Sequence, residues 1–176
     1  MQNAQSSWKD DAEYVTIVED LIYHEELLQM EEITHHHFTN RLEHSIRVSY
    51  TSFKIAQKWN LDACATARAG LLHDFFLEDR DGVAALNIGS HADAHPKIAC
   101  DNACRITEIS ELERDIILKH MFLVSRCGIP RYKESFVVTY VDKYIAIKEV
   151  TVPLKDIISN RIRSFITKLN PANSNA

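Results

Sequence analysis

The sequence predicts an all-α protein, a compact bundle of six to eight helices, and three observations carry that expectation. Only four glycines and four prolines punctuate 176 residues, too few for the many tight turns of an all-β fold. Hydrophobic residues make up 45% of the chain, enough for one domain with a real core. Several long segments repeat their apolar residues every three or four positions, the period of an amphipathic helix.

Residues 1–7 are polar and expected to fray. From Trp8 to Met30, Tyr14, Val18, Leu21 and Ile22 fall at helical spacing against an acidic face. Residues 34–40 read as a loop, with Asn40 or Thr39 capping a second helix that runs to Trp59. Asp62 caps a third helix over residues 63–75, whose Ala63, Ala67 and Gly70 allow close approach by a neighbour. Residues 78–95 read as an active-site loop holding at most a short helix. Pro96 suits the first turn of a helix over 96–106. A capping box at Ser110 and Glu113 opens a helix to Val124. Two more helices are expected, over 132–149 and 153–168, before a disordered tail. In domain terms, an N-terminal helix and loop (1–37) pack on a core (38–150), followed by a C-terminal helix and tail (151–176).

Bulk chemistry excludes some functions. A net charge of −5 and a pI near 6.0 leave no electrostatic footprint for duplex nucleic acid. The acidic stretch from Asp10 to Glu32 and the basic Lys155, Arg161, Arg163 and Lys168 read as solvated helix faces. Cys64, Cys100, Cys104 and Cys127 form no C-x-x-C pair and read as buried cytosolic thiols. There is no signal-peptide core and no apolar run near 18 residues, which points to a cytoplasmic protein without a membrane partner.

Nine histidines are the unusual feature. The pair His73-Asp74 closes an otherwise small and apolar segment, and adjacent helical residues point about 100° apart, so both reach one ion only near a helix end. His44, His95, His120 and Asp142 lie on or beside other apolar faces, at gaps of roughly one helix plus a connection. Each ligand then comes from a different helix and faces the bundle centre. Four imidazoles and two carboxylates form a mixed N/O set suited to two divalent transition-metal ions such as Fe, Mn, Co, Ni or Zn. A carboxylate such as Asp74 could bridge the pair. His24, His35, His36, His37 and His91 are read as outside the ligand set. Arg41, Arg47, Lys119 and Lys143 sit within a turn of proposed ligands and are candidates to neutralise phosphoryl oxygens, Lys143 ranking last. Glu78 or Asp79, just past the His-Asp pair, could protonate a leaving group.

The order His, His-Asp, His, His, Asp on successive helices resembles the HD-domain superfamily of metal-dependent phosphohydrolases. The resemblance covers about residues 38–150. It rests on Arg41-Leu-Glu-His44, Ala69-Gly-Leu-Leu-His73-Asp74, His95-Pro96, Lys119-His120-Met121 and Val141-Asp142-Lys143. It implies that His44, His73, Asp74 and Asp142 hold a first metal, and that His95 and His120, with Asp74 bridging, hold a second. The implied activity is hydrolysis of a small phosphorylated substrate, a phosphomonoester or nucleotide. Met121 after His120 and the missing Gly-Tyr-Pro signature do not support cyclic-dinucleotide chemistry. The same ligand order resembles the mixed-valent di-iron oxygenases of the superfamily, in which Tyr23 and Glu26 could fill an open iron position. A non-catalytic, ligand-sensing HD domain is a third possibility. The oligomeric state stays open, a homodimer included.

Overall fold

A computed structural model describes residues 8–35 and 39–169. Its element order is α1 (Ala12–Ile22), α2 (Glu25–Leu28), a 3-10 turn (Gln29–Glu32), β1 (Thr34–His35), β2 (Thr39–Asn40), α3 (Arg41–Lys58), α4 (Ala63–Leu72), α5 (Arg80–Ala85), α6 (His91–Ile106), α7 (Glu111–Lys119) and α8 (Lys133–Leu169). Eight α-helices among the described residues, with one two-residue antiparallel β pair, make the all-α architecture that the composition predicts.

Helix α4 runs through the middle, packed on α1, α3 and α7. Its closest neighbour is α3: a Cβ added to Gly70 would stand 2.9 Å from the Cα of Ser49. Only glycine permits that approach, and it draws His73 toward His44 of α3. Ser49 donates to the Ala67 carbonyl at 2.6 Å and accepts from the buried Tyr14 hydroxyl at 2.9 Å, tying α1, α3 and α4 through one hydroxyl. Arg68 clamps the same layers from outside, donating to Asp20 and the Ile17 carbonyl of α1 and lying 3.6 Å from Glu113 of α7. Tyr14, Phe53, Leu71, Leu72, Phe75, Ile116 and Ile117 fill the core between these helices.

Several boundaries depart from the periodicity, each for a local reason. The first helix breaks at Tyr23–His24, because the His24 ring accepts from the Glu26 amide and caps a new turn. Helix α4 stops at Leu72, three residues earlier than the sequence suggests, and α7 at Lys119, five earlier. Phe75, Phe76, Met121 and Phe122 keep the apolar pattern going beyond both ends, which disguises them. Helix α6 begins at His91 because Ser90 caps it, so Pro96 lies inside the helix instead of in its first turn. Helix α8 continues through Pro153 to Leu169, joining the two expected C-terminal helices and crossing the expected boundary at residue 150. A proline costs the helix one backbone donor, but Val150-Thr151-Val152 offers no turn residue at which to stop. Of the cysteines, only Cys100 is buried; Cys64 and Cys104 are exposed and Cys127 is half-buried. Residues 1–7, His36, His37 and the 170–176 tail lie outside the described residues.

Candidate metal centre

All six proposed ligands converge, and all are buried, with exposures between 0 and 8%. His44 comes from the first turn of α3, which Asn40 caps by accepting from the Glu43 amide at 2.7 Å. His73 is the C-cap of α4, and Asp74 follows where the chain turns, with the Phe76 amide donating to the Asp74 carbonyl. His95 sits in the second turn of α6, His120 is the C-cap of α7, and Asp142 faces inward from α8. His44 Nε2 lies 3.1 Å and His73 Nε2 3.7 Å from Asp142 Oδ1. On the other side, His95 Nε2 and His120 Nε2 lie 3.3 and 3.5 Å from Asp74 Oδ1, while Asp74 Oδ2 is 3.7 Å from His73 Nε2. Asp74 therefore stands between two half-sites.

Backbone carbonyls fix the tautomers. A carbonyl only accepts, so the ring nitrogen facing it carries the proton. His73 Nδ1 donates to the Gly70 carbonyl at 2.8 Å, His95 Nδ1 to the His91 carbonyl at 2.7 Å, and His120 Nδ1 to the Ile117 carbonyl at 2.7 Å. With its Nδ1 proton so engaged, each ring turns Nε2, the atom that can offer a lone pair to an ion, inward. Two such lone pairs, on His95 and His120, face each other at 2.9 Å. His73 Nε2 and Asp74 Oδ1 are buried and complete no hydrogen bond. Inward lone pairs and orphaned buried atoms are costly in a dry pocket and are satisfied by a cation. The donor set fits divalent metal ions, and two overlapping groups, His44/His73/Asp142 and His73/Asp74/His120, have ligand atoms close enough to share one.

Electrostatics agree with that fit. Burial alone would depress His44, but hydrogen bonds to Asp142 and Glu149 raise its imidazole to about 10. Burial likewise opposes ionisation of Asp74 and Asp142, yet the surrounding imidazoles hold both carboxyls well below the usual carboxylate range. His95 is pushed down to about 4, chiefly by burial, so its ring is neutral at physiological pH.

With these six groups placed, the comparison with known families is decisive: residues 41–147 match the HD domain. The chain belongs to the HD-domain family. The matched span opens on the first residue of α3 and encloses all six ligands. No curated protein and no solved structure matches the chain.

The remaining candidates of this HD domain occupy different positions. Arg41 is buried, with its guanidinium 3.5 Å above the Phe76 ring and donating to the Phe76 and Glu78 carbonyls, close enough to Asp74 to feel its charge. Arg47 pairs with Glu43 and Glu149. Lys119 donates to the Cys127 carbonyl and lines a cavity of about 430 Å³ with Lys97 and Arg126, between α6, α7 and the following turn. Lys143 donates to the His120 carbonyl at 2.8 Å and lies 3.9 Å from Asp142, the nearest approach of a lysine or arginine to a ligand carboxylate among the described ion pairs. Glu78 is half-buried, its carboxylate accepting from the Leu77 amide, and Asp79 caps α5 through the Gly82 amide. Tyr23 is 67% exposed, and Glu26 pairs with Arg105.

One residue escaped the sequence reading. Glu149 is buried on α8, accepting from His44 Nδ1 at 2.9 Å and from Arg47 at 3.3 Å. It orients the one ligand histidine whose Nδ1 lacks a carbonyl partner. A spacing of seven from Asp142, two turns on the same face, was its only signal.

Proposed function

We propose that this HD-domain protein is a metal-dependent phosphohydrolase with a two-metal centre, acting on a small phosphorylated substrate. The observation that supports it best is the position of Asp74, with one carboxylate oxygen toward His73 and the other toward the facing lone pairs of His95 and His120. In this reading His44, His73, Asp74 and Asp142 hold one ion, and His95, His120 and Asp74 the other. When bound, such ions acidify water and supply positive charge to a phosphoryl group under in-line attack.

The chain's own residues do the rest. Lys143 and Arg41 place fixed positive charge at the two sides of the ligand set, where phosphoryl oxygens gain negative charge. Arg47 acts at one remove, holding Glu149 against His44. Glu78, half-buried just beyond the His-Asp turn, is the candidate to pass a proton to the leaving oxygen. Asp79 is spent on the cap of α5 and serves the loop instead.

Elemental analysis of protein purified without chelator tests the reading, comparing wild type with the double variant His95→Ala/His120→Ala. The expected result is two metal equivalents falling to about one, with phosphate release from a phosphomonoester and nucleotide panel by the wild type alone. Metal-free wild type would overturn the metal centre. Oxygen consumption by iron-loaded protein, without phosphate release from any substrate, would overturn the hydrolase.

A further inference from the structure

Helix α8 is apolar on two sides. Val138, Val141 and Ile145 face the core, whereas Phe136, Tyr140, Tyr144 and Ile147 fall within about 80° on the opposite side, at 100° per residue. Tyr140 is 68% and Ile147 63% exposed. A helix that is hydrophobic all round is normally covered all round. Nor does the stripe stand alone. The Phe122 ring meets Phe136 edge-on at 5.8 Å, joining the stripe to the turn that carries the exposed Leu123 and Ile129, and Trp59 borders a groove with Phe136 and Tyr140.

Charge narrows the occupant. Between residues 121 and 150 every exposed charged side chain is positive: Arg126, Arg131, Lys133 and Lys148. The acids of that stretch are turned inward or engaged, Asp142 and Glu149 at the ligand set and Glu134 on the Asp62 amide. This polarity occurs in a chain of net charge −5, so it is a local arrangement and not a bulk property. Aromatic and aliphatic side chains flanked by lysine and arginine on a long helix are the composition of a helix that lies in a bilayer interface, where Trp and Tyr sit at headgroup depth. A second copy on this face would set Lys133 and Lys148 against their own like charges.

We propose that the outer face of α8, with the adjoining 121–133 turn, docks on an anionic lipid surface. The contact is peripheral: no helix is long and apolar enough to cross a membrane among the described residues. It is independent of the reaction proposed for the metal centre, to which α8 turns Asp142 and Glu149 from another side.

Co-sedimentation of the full chain with vesicles of phosphatidylcholine, alone or enriched in phosphatidylserine, tests this. Wild type should bind the phosphatidylserine vesicles at least about tenfold more tightly, and high salt should weaken that binding. Tyr140→Ser/Ile147→Ser and Lys133→Glu/Lys148→Glu should each cut it by about fivefold or more while leaving the melting temperature and metal content unchanged. Folded wild type that ignores phosphatidylserine vesicles overturns the proposal, as does binding that both double variants retain. A stable dimer in solution, broken by Tyr140→Ser/Ile147→Ser and indifferent to vesicles, assigns the face to a second copy and overturns it too.

Discussion

Replacing Gly70 by alanine sets two known effects against each other, and the geometry decides between them. Alanine is the better helix former by about 1 kcal/mol, which favours the variant. The new Cβ, however, would lie 2.9 Å from the Cα of Ser49, a backbone atom that cannot rotate away, so α3 and α4 must part. Overpacking of a close-packed contact costs about 1–3 kcal/mol, and a backbone obstacle places this case near the top of that range. The net loss is then about 2 kcal/mol, or about 4–8 °C in melting temperature for a chain of this size. The damage should also reach the site, since the Gly70 carbonyl holds His73 Nδ1 at 2.8 Å. Thermal melting by circular dichroism, with a chelator competition for bound metal, reads both effects. A melting temperature equal to or above wild type would refute the packing argument, because helix propensity would then have won.

Three further outcomes follow from the ligand set. Glu149→Gln keeps an acceptor for His44 but removes the charge that orients it, so metal affinity should fall about 10–100-fold with the helical content intact; unchanged affinity would remove Glu149 from the site. With metal stripped away, His44 rises from an ordinary 6.5 to about 10, so its contribution to stability is fully present below about 6.5 and fades as pH rises through 10. Metal must displace that proton from Nε2, so uptake should release protons into weak buffer at neutral pH and tighten as pH rises toward 10; uptake with no proton release would show that His44 is not a ligand.

Much of the centre could be read in the sequence because each ligand is a polar interruption of an apolar helical face. Asp142 among Val141, Tyr144 and Ile145 is the clearest case, since a buried carboxylate demands a partner. The helix ends were harder. Phe75 and Phe76 continue the apolar period past His73, and nothing local reveals that they pack over a turn; that turn is held by groups distant in sequence, Arg41 stacked on Phe76 and Asn102 donating to the Phe75 carbonyl. Glu149 was invisible for a related reason: its meaning depends on His44, 105 residues away. The break expected between residues 149 and 153 is absent, because the helical backbone continues through Pro153.

The two helix ends that hold His73 and His120 have one more effect. Helices α4 and α7 both point their C-termini at the centre, and a helix C-terminus carries about half a negative charge. The carbonyls that express that charge, those of Gly70 and Ile117, are the ones that accept from the two imidazoles, so the dipoles push electron density through the rings toward Nε2. Together with the Asp74 and Asp142 carboxylates they gather negative charge where the ligand atoms converge, opposed by the His44 imidazolium as long as no ion is bound. On the proposed function that sets an order of loading: cations enter first, taking the place of the His44 proton, and only the positive charge they bring admits an anionic substrate.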